Sequence, residues 1–125
     1  MKYLGIDYGE KRIGVAVSKG SLADPVAVIA NDATAAAKIR KLAQDYGAEM
    51  IVVGISEGVM AQKSREFAAQ LAEMGLRVEF HDETLTSKQA QASLQHKSRQ
   101  FRAKPQDAYQ AAVMLQDWLD NRGVN

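Results

Sequence analysis

The opening of the chain constrains its fold most. Over Lys2–Tyr8, Leu4 and Ile6 fall on one side of an extended backbone, and Tyr3, Gly5 and Asp7 on the other. Over Lys11–Ser18, Ile13, Val15 and Val17 alternate with Gly14, Ala16 and Ser18. Gly9-Glu10 separates the two runs, and so short a connection makes them an antiparallel hairpin. A plain doubly wound nucleotide-binding fold would begin strand–helix–strand instead. No G-x-G-x-x-G follows the first strand, and no G-x-x-x-x-G-K-[ST] occurs anywhere, so dinucleotide and P-loop readings both fail.

The remaining elements follow from period and punctuation. Asp24-Pro25 ends a loop, and Val26–Ala30 is the third strand. Asn31 or Asp32 caps a helix running to about Tyr46, where Gly47 stops it; its apolar stripe includes Ala35, Ile39, Leu42 and Ala43. Met50–Gly54 is a continuous apolar run, as in a strand covered on both faces. Ser56–Met60 is loop, and Ala61–Met74 is a second helix closed by Gly75. Leu76–His81 alternates as a fifth strand. Thr86 and Gln89 have capping-box spacing and open a short helix to about Gln95. After a linker at His96–Lys104, Pro105–Asn121 is the last helix, with Ala108, Ala111, Ala112, Leu115 and Leu119 as its core stripe. Three strands, then helix–strand–helix–strand–helix, predict an α/β fold: a mixed five-stranded sheet with helices packed on it.

Charge and composition narrow the function. At 125 residues, 46% hydrophobic and 25% charged, the chain fits one globular domain over 1–125. It has no Cys, which excludes disulfides, zinc–thiolate sites and thiol catalysis. No apolar run approaches bilayer length, and MKYLGIDYGEKR lacks the apolar core of a signal peptide, so a cytoplasmic protein without membrane partners is expected. The net charge of +1 is unevenly spread. Residues 84–106 contain no acid and carry Lys88, Lys97, Arg99, Arg102 and Lys104, whereas the flanks are acidic. Such a segment is either a solvated loop or a local contact for a polyanion.

Acids stand at three places where chemistry is possible. Asp7 lies late in the first strand, among Gly5, Gly9 and Gly14; it either caps the hairpin turn or faces a cation. Asp82-Glu83 follows the fifth strand, where open sheets place ligands, although acids there also favour a following helix. Asp107 lies in the first turn of the last helix, a common place for an acid, but borders its buried stripe. If the fold gathers them, they form an all-oxygen cluster that repels itself without a cation and suits Mg²⁺ or Mn²⁺ with one.

At this point the motifs resemble a known family. Gly5-Ile6-Asp7-Tyr8-Gly9-Glu10-Lys11-Arg12-Ile13-Gly14-Val15-Ala16-Val17-Ser18 resembles the N-terminal signature of the YqgF family. These are small RNase H-like proteins, also called RuvX-type Holliday junction resolvases, and linked to maturation of the 5′ end of precursor 16S ribosomal RNA. Asp82-Glu83-Thr84-Leu85-Thr86-Ser87 resembles the second motif, Asp-Glu-Arg-Leu-Thr-Thr/Ser, and Lys104-Pro105-Gln106-Asp107-Ala108-Tyr109-Gln110-Ala111-Ala112 the third, Lys-x-x-Asp-x-x-Ala-Ala. The resemblance spans nearly the whole chain. It implies an RNase H-like five-stranded sheet, antiparallel in its first three strands, with helices on both faces. It also implies that Asp7, Glu83 and Asp107 are the metal-binding catalytic carboxylates. The chain departs from the pattern at Thr84, where Arg is usual, at Gly54-Ile55-Ser56 for Gly-Leu-Pro, and at Ser18-Lys19 for Ser-Asp.

The expected function is a Mg²⁺- or Mn²⁺-dependent nuclease acting on structured nucleic acid. Precursor rRNA is the first substrate, branched DNA the second, and ribosomal particles are a further partner. Lys11, Arg12, Lys97, Arg99, Arg102 and Lys104 would hold backbone phosphates. Phe101 anchors the basic segment to the core or stacks on an unpaired base. His81 and His96 lack metal-ligand spacing and receive no role. Two rivals remain: a non-catalytic nucleic-acid-binding protein on the same scaffold, favoured by the absent Arg, and a phosphotransferase half-domain, since Gly-x-Asp-x-Gly also begins phosphate loops.

Overall fold

A strand that is apolar on both faces must be covered on both faces and paired on both edges. The computed structural model, which describes residues 1–55, 58–82 and 106–122 apart from the side chains of Gln106 and Asp107, meets that demand. β1 (Tyr3–Tyr8) lies between β2 (Arg12–Lys19) and β4 (Met50–Ile55). The edges are β3 (Leu22–Ala30) beside β2 and β5 (Val78–Asp82) beside β4, giving the order β3-β2-β1-β4-β5. β1, β2 and β3 pair antiparallel, and β4 and β5 join in parallel, as expected.

Helices cover the two faces separately. α1 (Ala35–Tyr46) and α2 (Val59–Glu73) lie on one face. There Ile39, Phe67 and Leu71 pack with Leu4, Ile6, Val15 and Val53, all buried. α3 (Gln106–Arg122) covers the other face, where Ala111, Ala112, Met114 and Leu115 meet Tyr3, Ala16 and Val52. That second face carries Gly5 and Ala16, so the helix can come close. A Cβ built on Gly5 would stand 2.8 Å from the Leu115 Cβ.

Several boundaries differ from the sequence reading, each for a local reason. β3 begins at Leu22, not Val26, and so contains Asp24 and Pro25. Pro25 is tolerated because β3 is an edge strand and its register with β2 shifts at Val15/Ala16, a bulge beside the proline. α1 begins at Ala35, and Asn31 does not cap it. The Asp32 carboxylate instead accepts from the Thr34 amide at 2.8 Å and hydroxyl at 2.6 Å, forming a turn before the helix. These bonds favour the ionised form and hold the Asp32 pKa below its ordinary value. Gly47 stops α1 with φ 68°, as predicted. α2 starts at Val59, β4 extends to Ile55 and β5 runs over Val78–Asp82, shifts of one or two residues. α3 is buried all the way round from Ala111 to Asp117, beyond the predicted stripe, whereas Leu119 is only partly covered. The predicted helix at Thr86–Gln95, the linker at His96–Lys104 and Pro105 lie outside the described residues.

Candidate active site

Asp7 is the next-to-last residue of β1. Its strand partners are Gly14 on β2 and Gly54 on β4, and Gly54 in turn pairs with His81 on β5. Paired residues project from the same face. Asp7 therefore stands in a cross-strand row between two positions that carry no side chain, with His81 beyond. The face is that of α3, because Gly5, two residues earlier, meets Leu115.

The hairpin turn does not use Asp7. The Gly9 amide donates to the Arg12 carbonyl at 3.0 Å, and the Asn31 Nδ2 donates to the carbonyls of Gly9 at 2.8 Å and Glu10 at 3.3 Å. Asn31, read from sequence as a helix cap, is instead the residue that ties the turn to β3. Asp7 is half-buried, and no described residue donates to its carboxylate. A half-buried carboxylate that no described residue bonds can face a cation.

The direction of α3 relates Asp107 to this end of the sheet. Leu115 sits over Gly5, while Trp118 and Arg122 sit on Tyr3, so α3 runs opposite to β1. Its first turn, which includes Asp107, thus lies toward the carboxyl ends of β1, β4 and β5. Eight helical residues separate Asp107 from Leu115, a rise of roughly 12 Å. The Asp107 side chain lies outside the described residues. So does Glu83, which directly follows Asp82, the last residue of β5. Of the predicted cations, Lys11 and Arg12 are exposed at the start of β2, at the same sheet end, and alternation puts Arg12 on the face of Asp7. Lys97, Arg99, Arg102 and Lys104 lie outside the described residues, as do Phe101 and His96.

The resemblance of the sequence motifs implies a divalent metal. The surroundings of Asp7 fit one: a carboxylate oxygen ligand that accepts from no donor among the described residues, flanked in its row by two glycines. Among the described residues no three His, Cys, Asp or Glu side chains stand together as a ligand set, and the described side chains include only Asp7 of the three predicted acids.

Sequence reasoning missed His81. Its Nε2 bonds the Asp117 carboxylate at 2.8 Å, and Asp117 is 2% exposed. The two residues are 36 positions apart, and only the alternation of β5 hinted that His81 shares the face of Asp7.

A mixed sheet of this order with helices on both faces defines an RNase H-like domain. The comparisons agree. The family model described as RuvX, Holliday junction resolvase, matches residues 1–121, and the chain belongs to that family. By that membership it is a nuclease, its substrate a nucleic acid. A protein of Anaeromyxobacter dehalogenans named "Putative pre-16S rRNA nuclease" is 39% identical, covering 98% of both chains. One of the same name from Lactococcus lactis subsp. lactis is 36% identical, over 95% of this chain and 94% of its own. In structure, T. thermophilus RuvC in complex with a Holliday junction substrate superposes with a TM-score of 0.69 over 99% of this chain and 96% of that one, at 16% identity. The fowlpox virus resolvase with its junction DNA reaches 0.64 at 13% identity, over 98% and 99%. Both are likenesses of fold. No helix among the described residues is long and apolar enough to cross a membrane.

Proposed function

We propose that this chain hydrolyses phosphodiester bonds in structured RNA and trims the 5′ end of precursor 16S rRNA. Asp7, Glu83 and Asp107 would hold Mg²⁺ or Mn²⁺. The bound ion would supply charge neutralisation at the phosphate and a water of lowered pKa. The single observation that carries the reading is Asp7: a half-buried carboxylate on an interior strand, between Gly14 and Gly54, with no donor among the described residues. An interior strand paired on both sides is a rigid mount, which suits a group that must hold its position through a reaction. Lys11 and Arg12 would fix flanking phosphates at the same end, joined by Lys97, Arg99, Arg102 and Lys104. Ribosomal particles are the natural setting for such a substrate, and one domain over 1–125 suffices to bind and cut. The substrate is assigned from the relatives named for pre-16S rRNA.

The test uses the purified chain with Mn²⁺ or Mg²⁺, end-labelled precursor 16S rRNA and a labelled four-way DNA junction. Cleavage of the RNA, abolished by Asp7→Asn with the melting temperature kept, is the expected result. Cleavage of the junction alone would move the activity to branched DNA. Tight binding with no cleavage by either protein would make the chain a binder and refute the proposal.

A further inference from the structure

The row that holds Asp7 also opens onto a groove. Arg77, Glu79 and His81 on the β5 side, Trp118 and Arg122 on α3, and Tyr3 on β1 line a cavity of about 530 Å³ on the α3 face. His81 lies in the row of Asp7. Arg77 lies next to Val78, at the level of Met50 and Tyr3. The groove therefore starts beside the candidate site and runs along the β5 edge for four residues, roughly 13 Å.

Its cations suit an anionic chain. The Arg122 guanidinium lies 4.6 Å from the Tyr3 ring centre and 4.9 Å from that of Trp118, and it also donates to the Tyr3 hydroxyl. The two ring centres are 4.7 Å apart, so both rings lie to one side of the guanidinium, and with the Tyr3 hydroxyl they hold in place a group that carries five N–H donors. Arg77 is exposed, and among the described residues neither arginine pairs with a carboxylate. Among the described residues of the lining Glu79 is the one acid, against two arginines and His81. His81 is held by Asp117 through Nε2, which leaves Nδ1 as the nitrogen it can offer.

We propose that this groove is a second binding site for the phosphate backbone of a single nucleic-acid strand continuing from the Asp7 end, with Arg77 and Arg122 on successive phosphates. The proposal rests on the nuclease reading for the origin of the strand. Continuity with the row of Asp7 favours a nucleic acid over an acidic protein segment.

The experiment titrates the full chain, without divalent metal, into a fluorescein-labelled 12-nucleotide single-stranded RNA and follows anisotropy from about 50 to about 200 mM KCl. Arg77→Gln and Arg122→Gln should each weaken binding about five- to tenfold and lower the slope of log Kd against log salt by roughly 0.7, the share of one phosphate contact on a single strand. Lys41→Gln, on α1 across the sheet, should change neither. Arg77 lies outside the core clusters, so its variant keeps the test alive if Arg122→Gln fails to fold. Unchanged affinity and slope in Arg77→Gln would overturn the proposal. Cleavage that depends on Asp7, together with normal binding by both arginine variants, would sink the groove and leave the nuclease reading standing.

Discussion

Gly5 sets how closely α3 approaches the sheet, and Gly5→Ala measures it. The added Cβ would lie 2.8 Å from the Leu115 Cβ, 3.3 Å from its Cγ and 3.2 Å from its Cδ2. The first contact decides the outcome, because a Cβ is fixed to the helix backbone and no rotamer moves it. β1 is paired on both sides, so α3 is the element that must shift. Overpacking of this kind costs about 1–3 kcal/mol. Replacing Gly in a strand returns about 0.5–1 kcal/mol through the unfolded chain. The net loss of about 1–2 kcal/mol lowers Tm by roughly 3–8 °C for a domain of this size. Circular dichroism melts read it directly. Leu115→Ala keeps the Cβ, so combined with Gly5→Ala it should show little coupling. Leu115→Gly removes it and should recover about 1 kcal/mol in a double-mutant cycle. Because α3 also carries Asp107 in its first turn, cleavage should fall more steeply than stability. A Gly5→Ala protein that melts at or above the wild-type temperature would refute the close approach and the placement of Asp107 that depends on it.

Two further outcomes test the same face and the opposite one. The buried Gln116 accepts from the Ala23 amide at 2.9 Å and donates to the Ser21 carbonyl and the Asp120 carboxylate, each at 2.9 Å. Gln116→Ala strands the Ala23 amide, so stability should drop by about 2–3 kcal/mol and hydrogen exchange at Ala23 should accelerate; unchanged protection there would show that β3 does not depend on α3. Asp32 is held below the ordinary 3.8 by its bonds from Thr34. Its stabilising contribution is therefore complete above that value and disappears as pH falls through the lowered one. The stability gap between wild type and Asp32→Ala should close as urea midpoints are followed from about pH 6 to about pH 2, and a constant gap would refute the assignment.

The parts of the fold legible in the sequence are those set by local pattern. Alternation in the first two strands and the unbroken apolar run at Met50–Gly54 identify the three interior strands, because burial on two faces leaves its mark on every residue. Pro25 hid the first half of β3, since a proline reads as a break unless the strand is known to lie at an edge. Asn31 stood beside Asp32 as a possible cap because a cap and a tie across a turn use the same short amide; only the position of Gly9, 22 residues away, separates them.

The candidate site shows the same division, and it explains why glycine carries so much of the design. Gly5, Gly14 and Gly54 look unrelated in the sequence, yet each does its work through a partner on another element. Register sets Gly14 and Gly54 on either side of Asp7, and packing sets Leu115 on Gly5. A side chain at either flanking position would stand beside Asp7 in its row, and one at Gly5 would lift α3, which carries Asp107. His81 and Asp117 are likewise invisible to spacing, since neither has meaning until β5 and α3 are laid side by side. The acids could be proposed from motif alone, but the physical reason that no strand neighbour's side chain crowds Asp7 in its row lies in the residues with no side chain. That reason exists only once five strands are in register.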